Sequence, residues 1–153
     1  MVRNSSLLQS QYNYYSQTMN SHVALIIGNE TLRILEQYAK EKRVSPKADN
    51  PFFLFLSYQA VHSPLQAPDD VIEIYEDRIA NESRRTLAAM ATVVDWSVGA
   101  ITDYLKSDEG ANLWEDTLVI ISTDNGGPVD MGGNNFPLRF CVGWHGQNAF
   151  NEV

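Results

Sequence analysis

The sequence predicts an α/β fold, a mainly parallel sheet flanked by helices, on three observations. Two short apolar runs, FFLFLSY at 52–58 and TLVIIST at 117–123, have the length and the aromatic or β-branched content of buried strands. A long amphipathic segment at 84–106 lies between them, and strand, helix, strand is the order of a right-handed parallel crossover. Both runs are apolar throughout, as strands are when helices cover both faces of a sheet.

Taken in order, residues 1–22 are rich in Ser, Asn, Gln and Tyr and read as a loosely ordered lead-in. Residues 29–43 predict an amphipathic helix, because Leu32, Ile34, Leu35, Tyr38 and Ala39 recur near helical spacing with charges between them. Asn29 is its expected N-cap, with Glu30 in the first turn and Lys42 and Arg43 in the last, as the helix dipole favours. Pro46 and Pro51 enclose a loop, and the first strand, 52–58, ends near Gln59. A loop with Pro64 and Pro68 leads to a short acidic helix at 69–77.

The clearest helix is 84–106, with Leu87, Met90, Ala91, Val94, Val98, Ile101 and Leu105 as its apolar stripe. Gly99 within it is expected to let a neighbour pack closely. The second strand, 117–123, ends in Asp124-Asn125-Gly126-Gly127. In open α/β sheets ligands bind beyond the carboxyl ends of the strands. The loops holding His62 and Asp124 are both in that position.

Length and composition fit one soluble domain with a hydrophobic core: 153 residues, 44% apolar and 20% charged. The net charge of −8 excludes non-specific binding to nucleic acid or to an anionic membrane surface. The one cysteine, Cys141, excludes an intrachain disulfide and a cysteine-built metal site. No stretch is long and apolar enough for a membrane span, and the N-terminus lacks the sustained apolar region of a signal peptide. Asn-x-Ser/Thr sequons stand at Asn4, Asn29 and Asn81, a pattern common by chance.

Several residues suit chemistry, each with a plainer alternative. Asp124 and Asn125 pair a carboxylate with an amide oxygen, which suits a hard cation such as calcium or magnesium. They equally make a turn, since Asn and Gly tolerate positive φ. Two oxygens do not fill a calcium shell of roughly six to eight ligands. His62 suits donation to an anionic ester oxygen or protonation of a leaving group, or a bond to a backbone carbonyl.

Gly132-Gly133-Asn134-Asn135 suits a loop whose amides face an anion, or a linker. Arg139 suits a sulfate or phosphate, or solvent. The acidic run Asp69, Asp70, Glu73, Glu76 and Asp77 reads better as a solvated helix face than as a metal site. Trp96 and Trp114 read as core or rim residues, and His22 and His145 have no evident partner.

Three motifs together carry a family resemblance. The segment from Pro51 to Pro68, ending His62-Ser63-Pro64-Leu65-Gln66-Ala67-Pro68, resembles the His-x-Pro-Leu-Gln-x-Pro segment of arylsulfatase B-like enzymes. Ser122-Thr123-Asp124-Asn125-Gly126-Gly127 resembles their second metal motif, and Gly132-Gly133-Asn134-Asn135-Phe136-Pro137-Leu138-Arg139 resembles the loop that follows it. Order and spacing agree from about Tyr15 to Arg139, so the chain is similar to part of a type I sulfatase. The domain expectation is a partial sulfatase domain at 23–139 with a divergent tail at 140–153.

The resemblance implies a partial alkaline phosphatase-like fold and hydrolysis of sulfate esters, of glycosaminoglycan-type sugars or aryl alcohols. It implies a formylglycine made from cysteine as nucleophile and Ca2+ as cofactor. Asp124 and Asn125 become two calcium ligands, and His62 becomes a catalytic and substrate-binding contact to the sulfate or the ester oxygen. It also implies a lysosomal or extracellular glycoprotein.

The departures carry as much information. No Cys-x-Pro-x-Arg nucleophile motif occurs, since Cys141 is followed by Val142. The family's N-terminal aspartate pair, which supplies the other protein ligands to calcium, is absent. After Arg139 the family continues with a glycine and a sulfate-binding lysine, where this chain reads Phe140-Cys141-Val142. From there to Val153 the resemblance ends, as at a splice or reading-frame boundary. The chain alone is therefore expected to be inactive and poorly soluble. The alternatives are a non-catalytic, anion-binding sulfatase-like module and a metal-dependent phosphatase of the same superfold.

Overall fold

A computed structural model of the chain describes residues 22–45 and 50–136. The expected lead-in, apart from His22, and the tail at 140–153 lie outside the described residues, as do Arg139, Cys141 and His145. The described elements are α1 (Val23–Val44), α2 (Asp69–Glu73), α3 (Glu82–Lys106) and two short 3-10 turns, Leu113–Asp116 and Val129–Met131. They fall into two units. The first takes residues up to His62 and Ala91–Leu118; the second takes Ser63–Met90 and Val119 onward.

In the first unit, α1 starts nearly two turns earlier than expected, with His22 and not Asn29 at the N-cap position and no side-chain capping bond. The apolar stretch from Val23 to Ile27 overrides the polar start signal. Ala24, Leu25, Gly28, Thr31, Leu35 and Ala39 are buried, at the spacing of one helical face. Thr31, only 3% exposed, is tolerated there because its Oγ1 donates to Ile27 O at 2.7 Å inside the helix. At the other end Arg43 donates to the carbonyls of Asp108 and Glu109, tying the last turn of α1 to the loop after α3.

The core of this unit is Leu35, Ile101, Leu105 and Leu113, surrounded by Leu32, Tyr38, Phe52, Leu54, Leu56, Tyr104, Ala111 and Trp114. α3 presents Val93, Trp96, Ser97, Ala100, Ile101 and Leu105 as buried positions. That face is rotated from the expected stripe: Ala91 is exposed and Val94 and Val98 are half-buried. Trp96 and Ser97 take the inward positions instead. The expected close approach at Gly99 is absent, since a methyl group built there meets nothing within 4 Å.

The two predicted strands are where structure and expectation differ. Among the described residues no strand is formed; 52–58 and 117–123 run without helix or ladder partner. A strand requires its N–H and C=O groups to pair laterally, and these segments have no neighbour supplying that pairing here. The first run nonetheless shows the two-residue period of an extended chain. Phe52, Leu54, Leu56 and Tyr58 are half-buried, while Phe53, Phe55 and Ser57 are exposed. The Tyr58 hydroxyl pairs with Ser97 Oγ at 2.8 Å, and burial pushes its phenol pKa up against a smaller lowering by that bond.

In the second unit, the acidic helix is shorter than expected: α2 ends at Glu73, and turns carry the chain to Arg78. Val71, Ala89 and Met90 are buried. Asn81 caps α3, its Oδ1 accepting the Arg84 N–H at 2.9 Å. No helix among the described residues is long and apolar enough to cross a membrane.

Candidate functional site

His62 lies in the turn that follows the extended run 52–58. Its backbone N–H donates to Gln59 O at 2.9 Å, the peptide bonds Ala60–Val61 and Ser63–Pro64 are cis, and the residue is exposed. It ends the first of the two segments that make up the first unit.

Asp124 and Asn125 belong to the second unit and form an exposed bend after the other apolar run. Thr123 Oγ1 donates to Asn125 O at 3.1 Å, and Asn125 Nδ2 donates to Gly126 O at 2.8 Å. The second bond uses the amide nitrogen and so leaves the Asn125 oxygen as the atom a cation would take. Local bonds shape the bend, as the turn reading expects, and both residues stay at the surface.

The glycine-asparagine loop is tied down by hydrogen bonds. Asn135 reaches back eight residues and pairs its side-chain amide with both backbone groups of Gly127. Gly127 N donates to Oδ1 and Nδ2 donates to Gly127 O, each at 2.8 Å. The Gly132 and Gly133 amides, expected to face an anion, donate instead to Val129 O at 3.1 Å and Pro128 O at 2.9 Å. Gly132 has φ +86 and its carbonyl accepts Arg84 Nη1 at 2.7 Å. A Cβ on Gly132 would lie 2.7 Å from Arg84 backbone atoms, and one on Gly133 would lie 2.7 Å from Gly127 C and Pro128 O. Both positions exclude any side chain. The loop is thus clasped onto itself and onto the start of α3 by hydrogen bonds.

Asn135 and Arg84 hold the site loop, and sequence reading missed both roles. The available signal was the double glycine, which marks close backbone approach as readily as flexibility. The acidic residues of 69–77 are all exposed, in keeping with a solvated face, and Glu76 pairs with Arg85 at 3.4 Å. Trp96 is core at 4% exposure, and Trp114 is half-buried with Lys106 Nζ 4.3 Å from its ring centroid. Burial lowers the pKa of His22 at the start of α1.

The donor types at Asp124 and Asn125 suit a hard cation, but their number does not complete a site. Among the described residues no group of three or more His, Cys, Asp or Glu side chains converges to hold a metal. Calcium takes roughly six to eight oxygens.

Comparison with known proteins settles the relationship. The Sulfatase family matches residues 4–145. The chain belongs to the sulfatase family. Mouse arylsulfatase J is 43% identical over 103 residues, covering 67% of this chain and 17% of that protein. A sulfatase of Formosa agariphila is 34% identical over 63% of this chain and 19% of its own length. Human arylsulfatase H is 30% identical over 95% of this chain and 21% of its own length. The sulfatase segment seen here therefore spans about a fifth of the length of the curated relatives it matches. No solved structure matches the chain.

Proposed function

We propose that this chain is part of an arylsulfatase-type sulfuric ester hydrolase acting on aryl sulfates or sulfated, glycosaminoglycan-type sugars. The supporting observation is the family match across 4–145, a range that takes in the His62 loop, the Asp124-Asn125 bend and the clasped loop. The fold in this reading is alkaline phosphatase-like, with 52–58 and 117–123 as strands of a parallel sheet.

Asp124 carboxylate and Asn125 Oδ1 would supply two oxygens to Ca2+, with the rest of the shell supplied by other groups. The bound ion would act as a Lewis acid on the sulfate oxygens. His62, exposed on its turn, would donate a hydrogen bond to the sulfate or the ester oxygen and give a proton to the leaving alcohol. The formylglycine nucleophile requires a Cys-x-Pro-x-Arg motif that these 153 residues lack, so the chain alone turns nothing over. The protein acts in the lysosome or outside the cell.

The test is hydrolysis of a fluorogenic sulfate ester and its phosphate counterpart by the full gene product. The expected result is calcium-dependent sulfate release, reduced by at least about a hundredfold in Asp124→Ala and in His62→Ala. Turnover of the phosphate ester alone would replace the reading with a phosphatase. Binding of sulfated sugar without turnover would replace it with a non-catalytic module.

A further inference from the structure

Three sequons stand in the sequence, and the structure separates the two that it describes. By sequence the better acceptor is Asn29-Glu30-Thr31, because a threonine hydroxyl generally serves the glycan transferase better than a serine. In the structure Asn29 lies in the interior of α1, and Thr31 is 3% exposed with its hydroxyl donating to Ile27 O at 2.7 Å. The hydroxyl that a transferase must engage is held inside the helix.

Asn81-Glu82-Ser83 is the opposite case. Asn81 is exposed, in the connection that precedes α3, with Glu82 exposed and Ser83 half-buried at the first turn. Its two amide atoms have separate fates. Oδ1 accepts the Arg84 N–H at 2.9 Å and caps the helix. Nδ2 has no hydrogen-bond partner among the described residues. A glycan attaches at Nδ2 and leaves the carbonyl in place, so the modified residue still caps α3.

We propose that Asn81 is an N-glycosylation site of this protein and that Asn29 is not. Asn81 Nδ2 attacks the anomeric carbon of a lipid diphosphate-linked oligosaccharide. The C–N bond forms, the bond from that carbon to the diphosphate oxygen breaks, one Nδ2 proton passes to the transferase, and the lipid diphosphate leaves. The site rests on the lysosomal or extracellular reading, since the donor is met on the secretory route.

The test translates the full chain behind a heterologous cleavable signal sequence in the presence of microsomes, with protease protection confirming import. Asn4→Gln removes the sequon outside the described residues. One gel shift is expected, reversed by peptide N-glycosidase, abolished by Ser83→Ala and unchanged by Asn29→Gln. Ser83→Ala is the decisive variant because it destroys the sequon and keeps the Asn81 cap. Ser83→Thr is expected to raise occupancy. An imported chain with no shift overturns the proposal, as does a shift lost in Asn29→Gln. Failure of the native transcript's product to reach the lumen, with Asn81 modified behind the heterologous signal, would instead sink the localisation and leave the site standing.

Discussion

The run at 52–58 and the region from 119 to 136 are held by different physics. The first docks one face of an extended chain on an apolar core. Phe52, Leu54 and Leu56 pack against Leu35, Ile101, Leu105 and Leu113, while Phe53 and Phe55 remain 89% and 81% exposed. The second region begins with an apolar run that is largely exposed: Ile120 and Ile121 are each 79% exposed. It ends in a loop fixed by the Asn135–Gly127 amide pair and by Arg84. Where apolar burial is missing, short polar clasps still define local geometry. Each large apolar side chain left in water forgoes about 1.5–3 kcal/mol of burial. The exposed runs therefore leave that stabilisation unrealised.

The contrast is tested most strongly in the core. Leu35→Ala is expected to lower the unfolding free energy by about 2–5 kcal/mol, because Leu35 is 1% exposed and its cavity is walled by the cluster. Ile120→Ala is expected to change it by less than about 0.5 kcal/mol. Urea unfolding followed by circular dichroism reads both. Equal losses would break the comparison. In a full-length sulfatase, where 117–123 would have sheet neighbours, Ile120→Ala should become as costly as Leu35→Ala.

The clasp comes next. Asn135→Ala removes two bonds of 2.8 Å and is expected to cost about 1–3 kcal/mol, felt locally. Limited proteolysis and amide exchange should accelerate across 126–136 while α1 keeps its protection. Unchanged cleavage of that loop would show that Arg84 and the 3-10 turn hold it unaided.

The smallest effect is at Tyr58. Its phenol pKa is raised in the folded state by burial, so the neutral form is favoured there. That contribution is complete below the unfolded value of about 10 and is lost as pH rises through the higher folded value. Tyr58→Phe should flatten this alkaline loss and cost about 1 kcal/mol at neutral pH, from the missing Ser97 bond. Urea midpoints taken from neutral to strongly alkaline pH measure it. An identical alkaline slope in both proteins would assign the loss to other groups.

Helices and much of the core were legible because their signals are local. α3 follows from its periodicity, and Leu35, Ile101 and Leu105 from their spacing. The start of α1 was misplaced because Asn29 resembles a cap, while the decisive factor was a buried face extending back to Ala24. The apolar character of 52–58 and 117–123 was visible, but pairing is a property of the neighbour, and no neighbour is written in either run. His62, Asp124 and Asn125 stand out through motif order alone, and all three lie on exposed turns. Asn135 and Arg84 were missed because their contacts join residues 8 and 48 positions apart, a separation no local pattern encodes.

The paired glycines of the site loop have a consequence for reading mutational data. A Cβ on Gly132 or on Gly133 would lie 2.7 Å from main-chain atoms, so a substitution at either forces backbone to shift. A saturation scan scored on abundance alone would register a loss at both positions whatever the protein's activity. Intolerance at these two positions would measure volume and not chemistry.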